Sequence, residues 1–434
     1  MHRNDPPEVA LSEVVVEQLG FHWMLDLYGC RCHEELLCVA DKLNSVCVEL
    51  CQQSGMTVLK SSFYQFEPKG ATGVVLLSES HLATHTWPES GLACIDIYVC
   101  NYTEVNEGKG KKLVQLLLKL FNPADWVSRN CVRGSIAPPP AIETREMLTD
   151  DFGYLILSKS IAPAITSRFQ TIEVFESKTF GRYLKLDGSF QCSERDEFFY
   201  HEPLIHMAMS HHANPKVITL VGGGDGGALT QILKWPTVQT IDHIEIDADV
   251  IAVCKEHLPF SRAAYSLAEN SGKYKRVVDD ASHYLVTKFS STGSATAQCD
   301  VLILDLTDQG GPSNELYSKD FFSMCAAAIG SHGVMTLHLA SPTVQPDRCA
   351  DLVALLRTCF ACVVPFIVSV PMSGGQWLMA LCTNDENLCQ PTISNLESRM
   401  TGLSGRSLKV ASARTLNAMK VLPPYLSDAL EQQR

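Results

Sequence analysis

The sequence predicts an α/β protein whose parts fold in series. Three observations carry this prediction. Strand-like and helix-like segments alternate over residues 1–134, three consecutive prolines (Pro138, Pro139, Pro140) then interrupt the chain, and a regular strand–helix alternation starts near residue 203. At 434 residues the chain exceeds what one ordinary core holds, so two or three domains are expected. Hydrophobic content of 46% with 19% charged residues suits buried cores.

The elements follow in order. Phe21 to Tyr28 and Thr72 to Leu77 read as strands. Leu36, Ala40, Leu43, Cys47 and Leu50 recur at steps of four and three, which marks one face of a helix. Lys111 to Leu120 is a second amphipathic segment. The proline run cannot enter a helix or a central strand, and residues 135–147 are therefore expected to form a stiff linker. Gln170 to Phe175 and Tyr183 to Leu186, the latter followed by Asp187-Gly188, read as β-hairpins within a subdomain of residues 148–202. Val217 to Val221, Ala228 to Trp235, Thr240 to Ile246 and Val250 to His257 then alternate strand and helix. That pattern predicts a parallel sheet with helices on both faces over residues 203–434.

A net charge of −13, from 35 basic and 48 acidic residues, disfavours nucleic acid as a partner and suits cationic ligands. The 17 cysteines are scattered, and no cysteine or histidine spacing completes a zinc pattern, so no metal is expected. The N-terminal residues lack an apolar core and no apolar run approaches a membrane span. A cytoplasmic protein with reduced thiols is the expectation.

Glu79-Ser80-His81-Leu82 precedes His85-Thr86-Trp87-Pro88-Glu89, and Cys100 lies twenty residues beyond Ser80. A serine inside a chain can attack the preceding carbonyl and convert the amide to an ester. β-Elimination then cuts the chain between Glu79 and Ser80, and the serine ends as a pyruvoyl ketone. Such a ketone takes up an amino acid as a Schiff base and acts as an electron sink for decarboxylation. This stretch resembles the bacterial-type S-adenosylmethionine decarboxylases, and Phe21-His22 with Leu27-Tyr28-Gly29-Cys30 resembles their opening strand. The resemblance implies an N-terminal α/β sandwich over residues 1–134. It also implies that Ser80 becomes the pyruvoyl group, that His85 assists elimination and that Cys100 returns a proton to the decarboxylated carbon. Thr72 stands where that family has a processing serine.

The second signal is Gly222-Gly223-Gly224-Asp225-Gly226-Gly227, fed by the strand Val217 to Val221. Glycines let backbone lie close to a ligand, but Asp225 inside the loop would repel a phosphate and attract a sulfonium or an amine. Glu245 ends the next strand, where a carboxylate can hold ribose hydroxyls. Val301-Leu302-Ile303-Leu304 reads as a buried strand with Asp305 and Asp308 at its C-terminal end, the ligand-binding edge of such sheets.

With Leu186-Asp187-Gly188, Glu194-Arg195-Asp196-Glu197, Tyr200-His201-Glu202, Asp279-Asp280 and Val421-Leu422-Pro423, these residues resemble spermidine synthase over residues 148–434. The resemblance implies a β-hairpin subdomain followed by a Rossmann-like (methyltransferase-like) domain. It implies that Gln170, Asp225, Glu245 and Asp280 bind decarboxylated S-adenosylmethionine, that Tyr200 and Asp305 flank the attacking amine, and that Gln191, His201 and Asp308 line the polyamine side. Gln309 replaces a proline of that family, and Met372 sits where a tyrosine contacts the polyamine; Asp305-Leu306-Thr307 also resembles spermine synthase.

The two resemblances together imply one chain with two successive activities. Decarboxylation of S-adenosylmethionine would be followed by aminopropyl transfer to putrescine, or to spermidine, with release of methylthioadenosine. A homo-oligomer, at least a dimer, is expected from the same resemblance. The alternatives are an aminopropyltransferase whose N-terminal domain only dimerises, and a decarboxylase acting on another amino acid such as arginine or ornithine.

Overall fold

A computed structural model describes residues 18–101, 105–135, 142–290, 298–308, 311–403 and 407–431, except for the side chains of 18, 19, 134, 135 and 290. The chain divides into two compact units, Met1–Pro140 and Ala141–Arg434. The whole proline run lies within residues 136–141, outside the described residues.

In the first unit, β1 (Gln18–Tyr28), β2 (Val58–Gln65), β3 (Ala71–Leu77), β4 (Ser80–Trp87), β5 (Leu92–Cys100) and β6 (Asp125–Ser135) form one sheet in the order β2-β3-β4-β5-β1-β6. Every pairing is antiparallel. Burial alternates strictly along β5, as expected of a sheet covered on one face. The cover is α2 (Ala40–Gln53) and α3 (Glu107–Phe121). Leu43, Cys47, Leu113, Leu117 and Phe121 share a core with Leu25, Leu27, Leu82, Ile95 and Ile97 of the sheet. At Gly110 a Cβ would come within 2.3 Å of the Trp23 ring, so α3 can lie this close only with a glycine there. The opposite face presents His22, Thr72, His85, Asp96 and Tyr98, none of them fully buried.

The single helix predicted from Leu36 to Leu50 is two. A short α1 (Glu35–Cys38) ends at Val39, which is extended at φ −119° and ψ 114°. The Gln65 side chain accommodates the break, because it accepts from the Ala40 N–H (2.8 Å) and donates to the Cys38 carbonyl (2.8 Å). Backbone groups freed at a helix end need such partners.

The second unit opens with a strand rather than with linker. β7 (Ile142–Met147) pairs along its whole length with β8 (Gly153–Ser160), burying Thr144 and Glu146. The expected linker of residues 135–147 is therefore strand from residue 142 onward. With β9 (Ile165–Thr166), β10 (Thr171–Ser177), β11 (Gly181–Leu186) and β12 (Ser189–Ser193), these strands make a small sheet in the order β12-β11-β10-β8-β7, with β9 on β10. Asp187 (φ 47°) and Gly188 (φ 84°) form the two-residue turn that joins β11 to β12.

The central sheet contains β13 (Val217–Gly222), β14 (Thr240–Glu245), β15 (Tyr274–Val278), β16 (Val301–Asp305), β17 (Val334–Ala340), β18 (Cys362–Val370) and β19 (Gly375–Thr383), ordered β15-β14-β13-β16-β17-β19-β18. Five strands run parallel, but β19 is antiparallel to both of its neighbours. A parallel partner needs a long crossover, whereas residues 371–374 turn the chain straight back from β18. The flanking helices are α4 (Glu197–His211), α5 (Gly227–Ile232), α6 (Ala248–His257), α7 (Pro259–Asn270), α8 (Ala281–Leu285), α9 (Lys319–Ile329) and α10 (Pro346–Arg357), with α11 (Ile393–Met400), α12 (Ala413–Met419) and α13 (Pro424–Glu431) closing the chain. Glu202 on α4 anchors the segment before α12, since its buried carboxylate accepts the N–H groups of Lys409, Val410 and Ala411 at 2.7–3.0 Å. Cys362 at the start of β18 and Cys389 face each other with Cα atoms 6.4 Å apart, and the other fifteen cysteines are free thiols.

Because the two units have separate cores, a cavity in one should leave the other intact. Leu113→Ala removes a fully buried side chain between α3 and the first sheet. We expect a loss of about 2–5 kcal/mol confined to that unit. Calorimetry of the full chain should show one transition lowered and the other unmoved.

Candidate active sites

The first site lies where β3 returns as β4. Leu77 pairs with Ser80, so Ser78 and Glu79 are the turn between them. Ser80 has φ 139°, in the left-handed half of backbone space that serine rarely adopts. Strain of this kind costs about 1–3 kcal/mol and persists only where surrounding bonds enforce it. Those bonds are present. The Glu79 carbonyl accepts the Cys100 N–H at 2.6 Å. The Glu79 carboxylate accepts the Thr57 N–H at 3.1 Å and faces Lys109 Nζ at 3.6 Å. Burial alone would raise the Glu79 pKa, yet the Thr57 N–H, Ser78 and Lys109 hold it below the ordinary range.

The carbonyl that Ser80 Oγ would attack thus already sits against an N–H donor, the arrangement needed to stabilise an oxyanion there. The residue beside Ser80 Oγ is His81, with Nδ1 at 3.3 Å. Burial, with help from His22 and Arg133, lowers the His81 pKa and favours the neutral, proton-accepting ring. Sequence reasoning treated His81 only as part of a motif and gave it no role of its own. His85 is instead bonded to Thr72 (Nδ1 to Oγ1, 2.7 Å). Five residues of strand separate it from Ser80, about 17 Å at 3.3 Å per residue. Within one chain the structure does not bring His85 to Ser80.

The second site is a cleft of about 1140 Å³, open to solvent, at the C-terminal edge of the central sheet. Its floor is the glycine loop after β13, and the glycines are there for room. A Cβ on Gly223 would meet Asp305 Oδ2 at 2.8 Å, one on Gly224 would meet Glu245 Oε2 at 2.9 Å, and one on Gly227 would strike the His201 ring at 2.2 Å.

His201, wholly buried on α4, lies among three carboxylates: Glu197 at 3.0 Å from Nδ1, and Asp225 at 3.5 Å and Asp305 at 3.7 Å from Nε2. Burial would lower its pKa, but Asp225, Glu197 and Asp305 together push it well above the ordinary value. The same pairing, with the Gly227 N–H, lowers the Asp225 pKa against its burial. Asp305 is pushed up to about 6, chiefly by burial, and Glu245 to about 7 for the same reason. Ligand atoms of His201, Asp225 and Asp305 lie within 4.8 Å of one another, a grouping that suits a cation.

The other expected residues take distinct places. Gln170 donates to Asp247 (3.0 Å) and leaves a buried Oε1 without a protein partner beside the cleft. Gln191 lines the cleft and donates to the Ser189 carbonyl (3.2 Å). Asp280 lines it too, while capping α8 through the His283 N–H (2.9 Å). Tyr200 Oη meets His338 Nδ1 at 2.9 Å, and Asp308 Oδ1 meets His338 Nε2 at 3.2 Å. Burial and then Asp305 raise the Tyr200 pKa well above its usual value.

Met372 is not in the cleft. It is buried against Phe175, Tyr183 and Phe190 because its N–H is tied to Asp196 (2.8 Å). Gln309 lies outside the described residues. Sequence reasoning missed His338, Trp377 and Glu197. The available signal was His338 itself, a ring nitrogen pair inside the otherwise apolar strand Val334 to Ala340.

Comparison with known proteins divides along the same line. Residues 21–134 match the S-adenosylmethionine decarboxylase family, residues 164–194 the spermidine synthase tetramerisation domain, and residues 197–392 the spermine/spermidine synthase domain. A polyamine aminopropyltransferase of Nitrosomonas europaea is 33% identical over 288 residues, covering 66% of this chain and 85% of that one. One from Escherichia fergusonii is 29% identical over 289 residues, covering 66% and 96%. In fold, the chain is similar to spermidine synthase from Thermotoga maritima, with a TM-score of 0.61 at 23% identity over 69% of this chain and 98% of that one. A spermidine synthase solved with the transition-state analogue AdoDATO gives 0.62, also at 23% identity with the same coverage. The chain belongs to the polyamine aminopropyltransferase family, and it carries an S-adenosylmethionine decarboxylase domain ahead of that part.

Proposed function

We propose that the first unit cuts itself at Ser80 and makes decarboxylated S-adenosylmethionine, and that the second transfers its aminopropyl group to putrescine. The observation that carries the first half is Ser80 itself, strained and adjacent to a carbonyl already held by the Cys100 N–H. Ser80 Oγ attacks the Glu79 carbonyl carbon, its proton passes to His81 Nδ1, and the oxyanion points at the Cys100 N–H. The adduct collapses with cleavage of the Glu79–Ser80 C–N bond, the amine taking up the proton, to leave an ester. Elimination across Cα–Cβ of Ser80 then releases Glu79 as a carboxylate and leaves dehydroalanine, which tautomerises to an imine, and water displaces ammonia to give the ketone. The pyruvoyl ketone so formed supplies the electron sink for loss of the substrate's α-carboxylate. His85, held by Thr72, would reach Ser80 only from a second copy set against the open face of the sheet. A homo-oligomer is therefore part of the proposal, in keeping with the tetramerisation-domain match.

In the second unit, Asp225, Asp305 and the Glu245 carboxylate make a cation-attracting cleft. We read its ligands as the sulfonium nucleoside and a protonated amine rather than a metal. Glu245 takes the ribose hydroxyls, with Gln170 and Asp280 beside it. An alkylamine of pKa about 10 arrives as an ammonium and must lose a proton before it can attack. Asp305 and Tyr200 orient it and take that proton, and the amine displaces methylthioadenosine in line. The sulfonium leaves as a neutral thioether, so the leaving group needs no acid. Asp308 at the cleft mouth, with Gln191 near it, would hold the far amine of a short diamine. Among the described residues no helix is long and apolar enough to cross a membrane, and the substrates proposed are small and water-soluble.

Four outcomes are expected. Intact-mass analysis should resolve two pieces, one ending at Glu79 and one with a blocked N-terminus. Ser80→Ala should give a single full-length chain and no carbon dioxide release; an unbroken chain from the unmutated protein would instead reduce the first unit to a scaffold. Asp305→Asn should slow transfer by about 10²–10⁴-fold while decarboxylation is unchanged. The aminopropyl-transfer kcat/KM for the nucleoside should fall about tenfold per pH unit below pH about 6. Asp305 must be ionised to work, and burial places its loss of charge there.

A further inference from the structure

His338 sits between the residue that meets the attacking amine and the residue nearest bulk water. Its ring is buried on β17, 4% exposed, edge-on to Trp377. Nδ1 lies 2.9 Å from Tyr200 Oη, and Nε2 lies 3.2 Å from both Asp308 Oδ1 and Tyr317 Oη. The surrounding groups decide the tautomer. Tyr317 Oη lies 3.3 Å from the Thr307 carbonyl, which only accepts, so it can give its proton there and accept from His338. An Asp308 carboxylate also only accepts. The hydrogen therefore belongs on Nε2 and Nδ1 is bare, so Tyr200, whose hydroxyl also faces Asp305, can donate to it. That leaves the lone pairs of Tyr200 Oη for an N–H in the cleft.

We infer that Tyr200, His338 and Asp308 form a proton exit from the aminopropyl-transfer site, with His338 the positioning and relaying residue. The inference rests on the transfer activity proposed above, whose balance requires such an exit. An ammonium and a sulfonium become a secondary ammonium and a neutral thioether, so one proton must leave in each turnover. Asp305 is 8% exposed, whereas the Asp308 side chain is 34% exposed and offers the proton the wetter exit. As an amine N–H bond breaks toward Tyr200 Oη, the Tyr200 proton passes to Nδ1. The Nε2 proton passes to Asp308, and Asp308 gives it to water. Tyr200 and Asp308 each gain one proton and lose one; His338 ends with its hydrogen on Nδ1, and the ring, which lines the open cleft, regains its Nε2 hydrogen by exchange with water before the next turnover. The titratable groups acting on the ring and its partners are Tyr200 from α4, Tyr317, Asp308 and Asp305, with Arg348 of α10 acting on Tyr317 and Glu146 of β7 and Tyr154 of β8 interacting with Asp308.

The test is single-turnover transfer from decarboxylated S-adenosylmethionine to putrescine by the whole protein, for the unmutated chain and His338→Gln, between pH 7 and pH 9. Glutamine can accept at one end and donate at the other but cannot pass a proton between them. The relay predicts a rate about 10–100-fold lower at pH 7, a putrescine KM within about twofold, and a deficit that shrinks about tenfold or more toward pH 9 as hydroxide removes the proton directly. Unchanged methylthioadenosine binding and carbon dioxide release would show that the variant is folded. If it does not bind methylthioadenosine, Asp308→Asn, which keeps an acceptor oxygen but cannot take up the proton, should show the same pH-dependent loss in kcat. An undiminished rate at pH 7, or a deficit constant across the range, would overturn the relay and leave His338 holding Tyr200 in place. No transfer by the unmutated protein would overturn the activity on which the relay rests.

Discussion

A buried histidine among carboxylates is the constraint on which the second site depends. Asp225 and Asp305 converge on His201 Nε2 from two adjacent strand ends, and Glu197 closes on Nδ1 from one helical turn earlier. Removing several like charges from water is costly unless an opposite charge is near. The costs are visible where compensation is thin, in Asp305 pushed up to about 6 and Glu245 to about 7. Such a site gains most when a cation enters it. The glycine loop follows from the same constraint, since Gly223, Gly224 and Gly227 admit side chains where other sites of this kind admit phosphate.

The first unit stores its chemistry in backbone rather than in charge. A two-residue turn holds Ser80 at φ 139°, and the neighbouring strand supplies an N–H to the carbonyl on its other side. The sheet's burial pattern makes this possible. One face is committed to α2 and α3, which leaves the other to carry polar residues at half-burial, including His81, Thr72 and His85. The Thr72–His85 pair and the Ser80 turn occupy opposite ends of β4.

How much could be read beforehand differs from residue to residue. Ser80, Asp225, Glu245 and Asp305 were legible because each interrupts a strong local pattern: a serine at a turn between apolar strands, an acid inside a glycine run, acids at the ends of buried strands. The strand positions around them were legible for the same reason. The β19 reversal was harder, since Leu378 to Cys382 is as apolar as a parallel strand and only the short Pro371-Met372-Ser373-Gly374 turn distinguishes it. The break at Val39 was hidden because helical spacing continues across it on both sides, and the Gln65 side chain that accommodates it is 25 residues away. Met372 was misplaced because nothing local says that its N–H is claimed by Asp196.

The sequence by itself determined the α/β class, the strand–helix alternation that starts at Val217, and the acids and glycines at the strand ends. These follow from periodicity and from residues that only one backbone environment tolerates. Only the tertiary structure decided that His81, not His85, stands beside Ser80, and that His338 joins Tyr200 to Asp308 across 138 and 30 residues. The physical reason is that a hydrogen bond is set by where two strands or a strand and a helix cross, which the order of residues along the chain does not state.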